Sequence, residues 1–567
     1  MEALSALVAV AAGRKAPTLV FKNAQVVNVF TGEILPADVA LYGGTIAGVG
    51  SYSGPVEVDC TGKTLCPGFI DAHIHIESTM VLPAQLVRLA LPGGTTTLIA
   101  DPHEIVNVCG AAGMQLMLDA SEGLPCNLYF MLPSSVPATR FETNGARFGP
   151  AEMAPFLDNP RVLGLGEAMR FADIVAGDEE ALATLAAFAG GLIDGHAPGL
   201  TGAALQAYFA AGVCTEHECT TFAEAAEKAR AGAAILVREG SAAHNLAAIV
   251  QGLVESGMPT SRFMFCTDDK HLDDLGRDGH IRWNVKLAID LGMKPAEAIR
   301  MATWNAAQVY GLKGLGAIAP GYKADIVLLS NLRQMEVEAV YKDGRPAAAC
   351  LAEMPGFAPQ DAAVLHSVKP PRVTAQSFRL PVAGPAHVIE MVPYQLTTRH
   401  LVEPVPTENG LFAPNKTYTK LCVVERHGKN GNIAIAPLKG YGLVGGALAT
   451  TVAHDSHNII AAGDNDEDIA AAVRRLAEIG GGYVLVRGGA VEDEVPLPVA
   501  GLMSDQPAEW VQAATGRIIQ KAAAMGIPYY IDPFISLSFL ALPVIPALRL
   551  TDRGLFDVEK GALCADR

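Results

Sequence analysis

Ten cysteines are scattered along the 567 residues without a C-x-x-C pair or any clustered spacing. That argues against a thiolate zinc knuckle and against a disulfide framework, and it reads as reduced, mostly buried thiols in a cytoplasmic protein. No uninterrupted apolar run of ~20 residues occurs, so no transmembrane span is expected. Basic residues are in the minority, with 42 Lys and Arg against 59 Asp and Glu and a net charge of −17. Nucleic-acid backbones and anionic membrane surfaces are therefore poor partners, whereas a small uncharged or cationic substrate is compatible. A phosphate-binding P-loop is also missing, because Gly480-Gly481-Gly482 is not followed by Lys-Ser/Thr.

Half of the residues are apolar and 18% are charged, the balance of a chain able to bury a large core, and the length calls for more than one domain. Residues 1–16 read as a short N-terminal helix. An acidic residue leads it and the basic pair Arg14 and Lys15 follows the apolar run, the reverse of a signal peptide. Strand-and-turn texture over 17–66 returns at 320–355, so the two segments are expected to pair as one composite β-subdomain. Residues 67–319 then form an inserted domain of about 250 residues, the size of a (β/α)8 TIM barrel. Residues 356–372, with Lys369-Pro370-Pro371, read as a linker. Residues 373–567 read as an additional α/β domain, with helices expected at 466–479 and 509–525.

Eight apolar strands alternate with helical stretches in the inserted region, the pattern of a parallel sheet. The first carries His73 and His75, which share a face because alternate strand residues point the same way. The fourth ends in Glu167, the fifth in His196, the sixth in His217 and the eighth in Asp268. Strand C-termini of a barrel converge on one mouth, so these six groups are expected to meet. Imidazole and carboxylate donors suit zinc, iron, manganese or nickel, and six donors exceed what one tetrahedral ion needs. Two divalent cations sharing a carboxylate is the simplest account.

The motifs PGFIDAHIHIEST (67–79), ADPHEI (100–105), GLGEAM (164–169), DGHAP (194–198), TEHE (215–218) and TDD (267–269) stand in order along the barrel. Together they resemble the amidohydrolase superfamily, and with residues 539–558 they resemble its adenine deaminase branch over nearly the whole chain. By that resemblance His73, His75 and Asp268 hold the more buried ion, Glu167 bridges, and His196 with His217 hold the second ion, with manganese or iron ahead of zinc. Many superfamily members bridge with a carboxylated lysine where this chain has Glu167. The resemblance implies hydrolysis of adenine to hypoxanthine and ammonia, purine salvage, and a homo-oligomer. Glu218 is the expected proton shuttle and Asp268 the expected acceptor of the hydroxide proton. Strict alternation turns Glu218 away from His217, so this role requires the chain to leave strand geometry there. Ser134, Ser135, Arg238 and Asp269 are the expected purine contacts. Glu77, Asp101, His103 and Glu104 are expected to support the metal ligands or to hold an extra cation. His454, Asp455 and His457 form a further cluster, more consistent with closing the active site or with subunit contacts than with another metal.

The alternative reading is another binuclear amidohydrolase that opens a cyclic amide or an N-acyl bond. A barrel retained as a non-catalytic scaffold is disfavoured by the full donor set. The unrelated zinc nucleobase deaminases pair H-x-E with P-C-x-x-C. His75-Ile76-Glu77 matches the first half, but Pro125-Cys126 lacks a second cysteine in register, so that match is coincidence.

Overall fold

Strand β1 (Phe69–His75) is buried at every position, as expected of a strand covered on both faces by a barrel and its helices. The computed structural model describes residues 1–241 and 243–564. Parallel pairing runs from β1 through β2 (Thr95–Ala100), β3 (Asn127–Leu132) and β4 (Val162–Ala168) to β5 (Leu192–Gly195). A second parallel ladder joins β6 (Thr215–Glu216), β7 (Ala234–Arg238) and β8 (Phe263–Cys266). The ladders meet where the Cys214 N–H donates to the Ile193 carbonyl at 3.0 Å. On the other side Asp268-Asp269 pairs with Ile74-His75, which closes the (β/α)8 barrel.

Two strands differ from the sequence expectation. β6 stops at Glu216, one residue before His217. The eighth strand breaks at Thr267, and Asp268 adopts a left-handed φ of 61°. Aspartate tolerates that region better than most residues, and such conformations concentrate at functional sites.

Beside the barrel, one sheet runs in the order Arg345–Pro346, Glu336–Lys342, Ile326–Asn331, Thr64–Pro67, Leu19–Asn28, Glu33–Tyr42, Thr45–Gly50. It joins strands from before and after the barrel, so both ends of the barrel are tied to one rigid layer. The C-terminal region carries an eight-stranded sheet, antiparallel except where Ala386–Met391 meets Ile433–Lys439. Helix Asp466–Ile479 packs on it. The Asn465 side chain accepts the Asp468 N–H at its start, three acidic residues fill its first turn, and Gly480 at φ 79° ends it. Among the described residues no helix is long and apolar enough to cross a membrane.

Candidate metal centre at the barrel mouth

Strand alternation aims His73 and His75 into the same space, and their Nε2 atoms lie 3.2 Å apart. Each also faces two carboxylate oxygens. Glu167 Oε1 is 3.5 Å from His73 Nε2 and 3.0 Å from His75 Nε2, and Asp268 Oδ1 repeats those distances. The other Glu167 oxygen, Oε2, meets His196 Nδ1 at 2.8 Å and His217 Nε2 at 3.3 Å. The carboxylate thus stands between two pairs of imidazoles. His73, His75, Glu167 and His217 are all buried.

Glu167 Oε1 and His217 Nε2 are buried without a hydrogen-bond partner. Buried polar atoms are rarely left so, and a bound cation is one recognised reason. Converging nitrogen and oxygen donors of this kind fit divalent metal ions. The electrostatics agree. Burial pushes the Glu167 and Asp268 carboxyls up, but His217 and His103 around Glu167, and Arg238 and His73 around Asp268, hold both well below the ordinary range. Burial likewise disfavours charged His75 and His217, yet the facing carboxylates raise both.

Glu218 follows β6, and the chain has already left strand geometry there. Its Oε1 lies 3.4 Å from His217 Nε2 and 3.5 Å from His196 Nδ1, so it faces the mouth. Arg238, at the end of β7, has its guanidinium on Glu218, Asp268 and Asn245. Its donors are therefore engaged by the site itself. The Ser134 hydroxyl donates to the Glu167 carbonyl at 2.5 Å and lies 3.0 Å from the Ser135 hydroxyl, which ties that loop to β4. Of the four expected purine contacts, only Asp269 lines the adjoining cavity.

The loop after β2 packs directly on this centre. The Asp101 carbonyl receives the His75 Nδ1–H at 2.9 Å, and Asp101 Oδ2 accepts the Glu167 N–H at 2.9 Å, so one residue orients two donors. His103 Nδ1 is 3.4 Å from Glu167 Oε1, and burial is outweighed by Glu104 in raising His103 to about 10. Glu77 accepts the Ile105 N–H at 3.1 Å, and burial brings its carboxyl up to about 7. Glu104 reaches across to the C-terminal region, where its two oxygens meet His454 Nδ1 and His457 Nε2. No sequence signal links those segments.

The amidohydrolase family matches residues 64–347, and the adenine deaminase C-terminal domain matches residues 395–562. An adenine deaminase from Desulfitobacterium hafniense (strain Y51) is 48% identical over 555 residues, covering 98% of this chain and 97% of its own. An adenine deaminase 2 from Carboxydothermus hydrogenoformans is 46% identical over 563 residues, covering 99% and 98%. A crystal structure of an adenine deaminase aligns with a TM-score of 0.42 at 17% identity, over 55% of this chain and 90% of that one.

Proposed function

The chain belongs to the amidohydrolase family, in its adenine deaminase branch, and from that membership we propose that it hydrolyses adenine to hypoxanthine and ammonia at the barrel mouth. The observation that carries this reading is likeness through both regions at once, 48% identity over 98% of the chain. A cyclic-amide hydrolase shares the barrel motifs but has no reason to share the C-terminal domain.

His73, His75 and Asp268 would hold one divalent cation, His196 and His217 a second, and Glu167 would join them. Manganese and iron suit this nitrogen-and-oxygen set, with zinc next. Such ions, when bound, bring the pKa of water toward neutrality and make hydroxide available. The remaining work falls to side chains. Glu218, kept as a carboxylate by Arg238, takes the first proton released by the water and, a strong acid in that state, delivers it to ring N1. Asp268 accepts the hydroxyl proton left after attack at C6 and passes it to the departing amine as the carbonyl forms. All ten cysteines are free, which fits a reducing cytoplasm.

Metal-loaded protein assayed for ammonia release across purines and cyclic amides, with elemental analysis alongside, tests the proposal. Adenine turnover with two ions per chain is expected. Hydrolysis of a cyclic amide with none of adenine would overturn it.

A further inference from the structure

Next to the donor cluster lies a cavity of about 290 Å³ whose lining comes from two parts of the chain. Ser78 and Asp269 belong to the barrel, and His454, Tyr483, Ser538 and Phe539 to the C-terminal region. An Asp269 carboxylate oxygen lies within 4.8 Å of ligand atoms of His75 and Asp268, so the cavity reaches the metal centre. Its volume is at the small end of ligand sites, roughly 300–1,000 Å³, and suits a bare base better than a nucleotide.

His454 is held here by a chain of fixed protons. His457 Nδ1 accepts the Ala453 N–H at 3.1 Å, so the neutral His457 ring carries its proton on Nε2 and donates it to Glu104. A nitrogen in that state is a donor and not a cation ligand, so this cluster is better read as a hydrogen-bonded support than as an extra cation site. The other Glu104 oxygen takes the Nδ1–H of His454. That leaves Nε2 as the free ring nitrogen of a cavity-lining side chain, and no hydrogen bond to it forms among the described residues. The Phe539 ring packs on the imidazole at 5.0 Å between centroids and fixes its plane.

We propose that His454 is a substrate-binding residue supplied by the C-terminal domain, its Nε2 hydrogen-bonding the purine while Glu104 and Phe539 hold the ring in place. This rests on the deaminase reading, and it gives the second domain a part in recognising the base.

Two substitutions separate binding from support. His454→Asn keeps an N–H near the Nδ1 position for Glu104 and removes the cavity nitrogen. His454→Gln places an amide nitrogen near Nε2 and releases Glu104. For the asparagine variant, the KM for adenine and the calorimetric Kd for hypoxanthine should each rise about tenfold, the loss of one good hydrogen bond. Metal content and melting temperature should hold, and the glutamine variant should recover most of the affinity. Unchanged KM and Kd for asparagine would overturn the proposal, as would asparagine restoring what glutamine loses. Wild-type protein labelled with 15N-histidine needs no variant. Hypoxanthine must shift one imidazole Nε2 resonance, and a spectrum that does not move equally overturns the assignment. Wild type inert toward adenine would instead sink the deaminase reading, because the His454 comparison presupposes turnover.

Discussion

Arg238 closes on Glu218 with both terminal nitrogens, Nη1 to Oε1 at 2.5 Å and Nη2 to Oε2 at 3.0 Å. The same Nη1 reaches Asp268 Oδ2 at 2.8 Å. One guanidinium therefore spans the proposed proton shuttle and a proposed metal ligand, a fork geometry that lysine cannot reproduce.

That pairing predicts a pH effect with a definite sign. Burial pushes the Glu218 carboxyl up, and Arg238 with His196 and His217 overcomes it, leaving the group well below its ordinary value. In Arg238→Met the burial remains and the largest opposing charge is gone, so the carboxyl must titrate at higher pH. The acid limb of the kcat/KM profile should move up by about one to three units. Profiles for wild type and variant check it, and an acid limb that stays put would show that Glu218 is not the titrating group.

Asp101 makes a different prediction, about metal retention. Its Oδ2 is the acceptor for the backbone N–H that leads into Glu167. Residues that orient metal ligands are typically worth 10–100-fold in affinity. Asp101→Ala should therefore lose metal to a competing chelator at roughly 10–100-fold lower chelator concentration, with activity partly restored by excess metal. Equal retention in both proteins would mean that Glu167 needs no such hold.

The barrel was legible because parallel strands announce themselves as apolar runs ending in the residues that matter, and His73 and His75 share a face by period alone. The bend that turns Glu218 inward was legible only as a condition on its role, and the short β6 satisfies it. Arg238 read as a substrate contact because nothing in the sequence says which acidic partner a strand-end arginine will find. Glu104 and His457 lie 353 positions apart. Their contact depends on how the C-terminal sheet docks on the mouth, and neither periodicity nor spacing encodes that.

Gly166 tests whether Glu167 must be placed to a fraction of an ångström. A β-carbon there would stand 2.1 Å from Asp101 Oδ2 and 2.7 Å from its Cγ, so the carboxylate has to move. That motion breaks the Asp101 bond to the Glu167 N–H. Gly166→Ala should lose metal affinity at least as severely as Asp101→Ala, with about 1–3 kcal/mol of overpacking strain added. Because both changes act through one contact, the double variant should be little worse than Gly166→Ala alone. Additive losses in the chelator assay would place the two residues on separate routes.

Asp71 tests how the barrel is closed. It accepts the Thr267 N–H at 3.1 Å and the Thr267 hydroxyl at 2.5 Å, and His280 Nε2 lies 3.0 Å away. The residue is fully buried on β1, and Thr267 is the break in the eighth strand, so these bonds join the first and last strands where the regular ladder stops. Each buried donor left without its acceptor costs about 1–3 kcal/mol. Asp71→Ala orphans several and should lower stability by about 3 kcal/mol or more, read as a fall in the urea midpoint of the tryptophan signal. Trp283 and Trp304 both lie on helices of the barrel region and report on it. Asp71→Asn keeps one acceptor oxygen and should fall between the two. If alanine and asparagine unfold at the wild-type midpoint, closure must come from the Asp268-Asp269 pairing with β1 alone, and the left-handed turn at Asp268 would have to stand without this support.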